Sequence, residues 1–314
     1  MRRARQRRIN RDIGGIPFEK ARSLIVRQTE PGILYLVATP IGNLRDITFR
    51  AIDVLQQVDL IACEDTRHSR PLLDHYGIST PTAAFHEHNE DVASVRLAER
   101  LQRGESIALI SDAGTPLISD PGFPLVRAVR AAGIRVVPIP GPCALIAALS
   151  ASGLPADRFA FEGFLPRKSS ARKASLEALR NDSRTLIFYE SSHRVFESVA
   201  DITAIFPSDR RLVIARELTK LFETIVDTRV GEALSLLESD PNMEKGEFVL
   251  VLEGAPDLGR TEGLTVDEER VLRILLEDCS VKTAVSLTVK ITGARRETVY
   301  RTALRLTEEW RKTD

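Results

Sequence analysis

Five short apolar runs, each followed by a stretch with helical apolar spacing, fill the first half of this chain and constrain its fold most. The runs lie at 33–38, 60–63, 82–85, 106–110 and 136–139. Runs of this length that are apolar almost throughout read as strands buried on both faces. The stretches at 49–57, 69–76, 91–103 and 123–130, and a fifth from Pro142, read as helices. Thr48 or Asp46 can cap the first, Gly77 can close the second, and Pro142 takes the favoured first position of the fifth. Such alternation predicts an α/β domain with a parallel sheet covered on both faces.

The order changes after Gly153-Leu154-Pro155. Strands are expected at 159–161, 185–189, 211–215, 224–227 and 248–252, and helices at 171–180, 195–205 and 231–238. The strands at 211–215 and 224–227 are close enough in sequence to pair antiparallel, which predicts a mixed sheet. A Pro/Gly linker spans 255–263. Beyond it, Val271, Leu272, Ile274 and Leu275 form one apolar stripe, and 283–291, Gly293 and 295–306 read as helix-turn-helix. The expected divisions are a basic arm at 1–31, domains at 32–152 and 153–255, and a helical unit at 264–314.

Formal charge is zero, yet residues 1–11 hold six Arg and no acid, which leaves −6 on the remainder. A chain so balanced must bind nucleic acid, if at all, through local patches. The arm has no apolar segment of the secretory kind, and no run is long enough to span a membrane. Cys63, Cys143 and Cys279 are far apart and form no C-x-x-C pair, which suits a reducing cytoplasm and argues against a metal site.

Residues 111–122 form a long loop between the fourth strand and its helix, with two Gly and two Pro. Ligands of open α/β sheets bind at such strand exits. Three exits offer close-approach residues: 39–43, 112–115 and 140–144. None is a phosphate-binding G-x-x-x-x-G-K-[ST] or a dinucleotide G-x-G-x-x-G, so the expected ligand lacks phosphate, as a nucleoside bearing an amino acid does. The free N–H groups of the helix after 140–144 suit its carboxylate.

The loop DAGTPLISDPG at 112–122 resembles the signature loop of the tetrapyrrole (corrin/porphyrin) methylase superfamily. Further matching segments are ATPIGNLRD at 38–46, EDTR at 64–67, PGPCA at 140–144, GFLP at 163–166, FYESSHR at 188–194, ARELTK at 215–220 and GEF at 246–248. Within the superfamily their wording is similar to the bacterial branch that methylates ribose 2′-hydroxyls of small-subunit ribosomal RNA. The resemblance implies two α/β domains with a cofactor cleft between them, a homodimer, and S-adenosylmethionine as methyl donor. It implies a cytidine of small-subunit (16S) RNA at the decoding centre as acceptor. Methylation of a tetrapyrrole ring, and a non-enzymatic helix-turn-helix nucleic-acid binder, stand as alternatives.

On this reading the donor meets Thr39, Pro40, Gly42, Asn43, Asp112, Gly114, Thr115, Ile118, Pro142, Ala144, Ser191 and Glu217. A ribose hydroxyl needs a general base or a cation that favours the alkoxide. Glu64, Asp65, Arg67, His86, Glu87, His88, Glu190 and His193 lie near strand exits, and Glu64, Arg67, His88 and Glu190 are assigned as the catalytic set. Arg67 can instead pair with Glu64 or Asp65. Arg167, Lys168, Arg172 and Lys173 carry four charges within seven residues and are assigned to RNA phosphates. The eight basic against four acidic residues from 280 onward leave the C-terminal helices open to the same role.

Overall fold

A computed structural model describes residues 32–256 and 264–310. The arm at 1–31, most of the linker and the last four residues lie outside the described residues.

The first sheet holds β1 (Ile33–Val37), β2 (Leu60–Cys63), β3 (Thr82–Ala84), β4 (Ile107–Ile110) and β5 (Arg135–Ile139) in the order β3-β2-β4-β1-β5. Every pairing in it is parallel. Helices α1 (Phe49–Gln57), α2 (Thr66–His75), α3 (Glu90–Gln102), α4 (Phe123–Ala131) and α5 (Ala144–Ser152) follow the strands in turn. Alternate β residues supply two cores. Tyr35, Val37, Ala108 and Ile110 pack with α1 and α2, whereas Leu34, Ile107 and Leu109 pack with α3 and α4. Each fully buried Leu, Ile or Val contributes about 1.5–3 kcal/mol.

Two helix starts beside this sheet differ from expectation by more than one residue. Helix α2 begins at Thr66 because the Asp65 side chain accepts from the Arg67 N–H at 2.8 Å and caps it. Helix α5 begins at Ala144 with Cys143 as N-cap, so Pro142 precedes the helix. Thr48 is the cap of α1, accepting from Ala51 N–H at 3.1 Å.

The second sheet holds β6 (Phe159–Phe164), β7 (Thr185–Ser191), β8 (Arg211–Arg216), β9 (Thr224–Arg229) and β10 (Glu247–Leu252) in the order β6-β7-β10-β8-β9. It is mixed as expected: β6 and β7 are parallel, and the other pairs, β8–β9 included, are antiparallel. One face packs Leu186, Phe188, Ile214 and Leu250 under α6 (Ser169–Leu179), α7 (Val195–Ile205) and α8 (Val230–Ser239). The other sets Ile187, Val213, Val249 and Val251 against Leu145, Ala148 and Leu149 of α5. The change of sheet falls between α5 and β6, where Gly153 ends the helix in the left-handed region at φ 66°.

Both sheets belong to one compact unit, made of the described residues up to Leu179 together with 185–253. A second unit combines 180–184 with α9 (Val266–Asp278), α10 (Val281–Thr292) and α11 (Arg296–Trp310). Thr265 and Glu268 form a reciprocal capping box at the start of α9. Gly293, at φ 70°, makes the turn between α10 and α11 expected for helix-turn-helix. Leu272, Val285, Val299, Ala303 and Leu306 form its core.

Candidate active site

The three strand-exit loops are bonded to one another. Thr39 and Gly114 exchange backbone hydrogen bonds of 2.8 and 3.1 Å. The Thr39 hydroxyl donates to the Ser111 carbonyl at 3.0 Å, and the Thr115 hydroxyl donates to the Pro142 carbonyl at 2.9 Å. The exit of β2 joins them: Asp65 N–H donates to the Asp112 carboxylate at 3.3 Å. Glycine is required at two of these crossings. Gly114 sits at φ 94°, and a Cβ on Gly141 would stand 2.8 Å from that of Ala38.

These loops close one side of a cavity of about 320 Å³, in the range of small-molecule sites. Asp112 to Thr115, Ile118, Ser119, Asp120, Cys143 and Ala144 line that side. The second sheet supplies the other, through Phe164, Tyr189, Ser191, Leu218 and the start of β10 at Glu247, Phe248 and Val249. Antiparallel pairing puts those last residues there, because Val249 lies opposite Tyr189 and Glu247 opposite Ser191. Leu117, Ser119, Glu217 and Thr219 all take positive φ, between 51° and 72°. Such strain in non-glycine residues clusters at ligand sites.

Among the described residues the lining carries carboxylates and no Lys, Arg or His. The field therefore favours cationic groups and disfavours phosphate. Burial, with the Asp112 charge adding to it, pushes the Asp120 carboxyl above the ordinary range against a hydrogen bond from Ser111. Its Oδ2 is buried with no hydrogen-bond partner. Glu64 is raised too, by burial first and then by the charges of Asp112 and Asp120. The Tyr189 hydroxyl accepts from Leu145 N–H in the first turn of α5 at 3.1 Å, and burial, followed by its Cys143 neighbour, raises its pKa.

Of the sequence-derived donor contacts, Asp112, Gly114, Thr115, Ile118, Ala144 and Ser191 line the cavity. Thr39 and Pro142 act one layer behind, as the bonds that hold the loops. Three positions are corrected. Gly42 faces the loop after β8, where a Cβ would stand 2.3 Å from Lys220 Cγ. Asn43 is exposed and accepts from Arg45 N–H at 3.1 Å, capping a single 3-10 turn. Glu217 is held by Lys220 Nζ at 2.7 Å and by Glu247 N–H at 3.0 Å. Pro40 is half-buried beside the lining residue Ile41 without lining the cavity itself.

The catalytic set changes more. Glu190 borders the cavity, but its fully buried carboxylate is occupied by Ser198 Oγ at 2.6 Å and Ser191 N–H at 2.9 Å, with Arg194 at 3.5 Å. It anchors α7 to β7. Arg67 is exposed and grips Asp65, whose carboxyl that pairing lowers to about 2. His88 is exposed and outside the lining. Glu64 stays close enough to feel both Asp112 and Asp120. Asp120, Tyr189 and Phe164 were not singled out. All three lie inside the matching segments, and only sheet pairing reveals their convergence.

Arg172 is also corrected. Its side chain is 1% exposed, with Nε donating to Asp201 at 2.6 Å and Nη2 pairing with Glu197 at 3.3 Å. Nη1 donates to the carbonyls of Pro166 and Arg167, each at 3.3 Å. Four of its five N–H donors are used and the group is buried, so it is not presented to a phosphate. Lys173 is half-exposed and pairs with Asp201 at 3.4 Å. Arg167 and Lys168 are exposed.

Residues 33–234 match the family model of the tetrapyrrole (corrin/porphyrin) methylases. The chain belongs to that family. Residues 262–307 match a second model, the RsmI C-terminal HTH domain. Two similar proteins bear the name ribosomal RNA small subunit methyltransferase I. The one from Escherichia coli O157:H7 is 53% identical over 87% of this chain and 95% of its own length. The one from Pseudomonas aeruginosa is 54% identical over 87% of this chain and 97% of its own length. Among solved structures, a diphthine synthase aligns with a TM-score of 0.52 at 15% identity, covering 77% of this chain and 94% of that one. A uroporphyrin-III-C-methyltransferase from Thermus thermophilus aligns at 0.50 with 22% identity, over 73% and 97%. These two establish the fold. The chain is thus a methyltransferase, and the reading as a non-enzymatic nucleic-acid binder is withdrawn. Among the described residues no helix is long and apolar enough to cross a membrane, and no cluster of His, Cys, Asp or Glu could hold a metal.

Proposed function

We propose that this methyltransferase transfers a methyl group from S-adenosylmethionine to a ribose 2′-hydroxyl of a cytidine in small-subunit ribosomal RNA, at the decoding centre. The observation that carries the reading is the cavity itself, knit from three glycine-bearing strand exits and lined, among the described residues, by carboxylates without a single basic side chain. A donor with a sulfonium and an ammonium but no phosphate fits that lining. When bound, S-adenosylmethionine supplies an electrophilic methyl carbon. Asp112 favours its cationic groups, and Ile118, Leu218 and Val249 offer apolar surface to its nucleoside. The N–H groups at the start of α5 other than that of Leu145, which Tyr189 takes, suit its carboxylate.

In-line transfer is above all a positioning task. The acceptor hydroxyl must also lose its proton. Asp120 Oδ2 is the buried, unpartnered acceptor beside the cavity, and a raised pKa makes it a stronger base once ionised. Glu64 stands behind it as a second carboxylate. The similarity to the ribosomal RNA methyltransferases supports RNA as acceptor, and Arg167 and Lys168 are its phosphate contacts. We further infer a homodimer, which sedimentation at micromolar concentration tests; a fully active monomer refutes it. The reading as a whole is tested by incubating the protein with labelled donor and small ribosomal subunits and mapping the labelled nucleotide. Label appearing on a base, or on no ribosomal nucleotide, refutes it.

A further inference from the structure

The edge strand β6 carries a bulge. Phe161 pairs with Ile187, Gly163 with Phe188 and Phe164 with Tyr189, so Glu162 is the extra residue. Side chains alternate between faces along a strand. Without the extra residue, Phe161 and Phe164 would project to opposite faces; with it, both join the face of Ile187 and Tyr189. Gly163 makes this step at φ 66°, where a Cβ is disfavoured. Bulges of this kind re-aim side chains beside active sites.

The ring re-aimed here is left uncovered. Phe164 lines the cavity yet is 54% exposed. Its centroid is 5.8 Å from that of Tyr189 at an interplanar angle of 66°, an edge-to-face contact that orients one ring against the other. Ser119 Oγ lies 4.0 Å from the position of a Cβ on Gly163, so the loop bearing Asp120 faces this strand end. Past the ring the chain is pinned by its backbone: Arg194 donates to the Leu165 carbonyl, and Arg172 to those of Pro166 and Arg167. Arg167 and Lys168 then point no charge at any acid among the described residues.

We propose that Phe164 is the stacking platform for the acceptor nucleobase, with Arg167 and Lys168 meeting the phosphates beside it. The assignment rests on the functional reading above. A half-exposed aromatic at the rim suits a base splayed out of its strand and presented from outside. The donor does not explain the neighbouring cations, because it has no phosphate. A base on this ring brings its ribose to the side of the cavity where Asp120 sits.

Full-length Phe164→Ala and Phe164→Trp are assayed with labelled donor and small ribosomal subunits, alongside calorimetry of donor binding. Removing a stacking aromatic is expected to lower kcat/KM for RNA by about 10- to 100-fold. Donor affinity and thermal stability stay at wild-type values, and Trp restores most of the activity. Unchanged RNA kinetics in Phe164→Ala overturns the subsite alone. Weakened donor binding overturns it as well, by giving the ring to the donor. A wild-type enzyme that labels no small-subunit RNA overturns the functional reading and the subsite with it.

Discussion

Replacing Arg172 by Ala should destabilise the protein, not merely weaken its hold on RNA. The guanidinium is buried and makes four polar contacts, two with carboxylates at 2.6 and 3.3 Å and two with carbonyls, while Lys173 shares Asp201 with it. Asp201 is itself only 9% exposed in its side chain. Removing one member of a buried pair leaves an uncompensated charge, which costs about 3–5 kcal/mol. The double variant Arg172→Ala/Asp201→Ala should recover part of that loss, since the orphaned carboxylate goes too. Burial alone would raise the Asp201 pKa, but the bonds from Arg172, Ser169 and Lys173 together hold it below the usual range. A lowered folded pKa gives stability that is present above the unfolded value and lost as pH falls through the folded one. The gap between wild type and Arg172→Ala should therefore close in acid, below about pH 3.9. Urea denaturation at pH 7 and at acid pH measures both effects. A variant as stable as wild type, with a flattened salt dependence of RNA binding, would refute the structural role and return Arg172 to the phosphate patch.

The remaining predictions concern the site. Arg167→Ala/Lys168→Ala should flatten the salt dependence of RNA binding by about 0.7 log units per lost single-strand contact, with donor affinity unchanged; an unaltered slope removes the pair from the interface. Gly114→Val should abolish donor binding, because φ is 94° there and the new Cβ would stand 3.3 Å from Ile41 Cγ2; calorimetry showing wild-type affinity would sink the proposed donor site. Asp120→Asn should cut kcat sharply while donor binding persists. In the wild type the rate should rise with pH through the elevated Asp120 pKa, since the ionised form is the base, and that limb should vanish in the variant. A pH profile identical in both enzymes would reassign the base, with Glu64 next in line.

The local signals in this chain were strong because they needed no partner. Apolar runs at 33–38 and 60–63 are strands in any context that buries both faces, and Thr48 and Gly293 set helix boundaries with their own side chain or backbone. Motifs at strand exits pointed to Asp112, Gly114 and Thr115, which do line the cavity. Charge is different, since a sequence shows its sign and not its surroundings. Arg172 and Lys168 look alike in the string, yet one lies under α7 against Asp201 and the other faces solvent. Glu190 looked like a base until Ser198, eight residues on, closed over it. Asp120, Tyr189 and Phe164 come from three strands or loops separated by tens of residues, and the Phe164 ring reaches the rim only through a one-residue bulge. Periodicity can be read along a chain because backbone geometry enforces it locally; burial of a charge and the meeting of distant side chains exist only after helices and strands have packed.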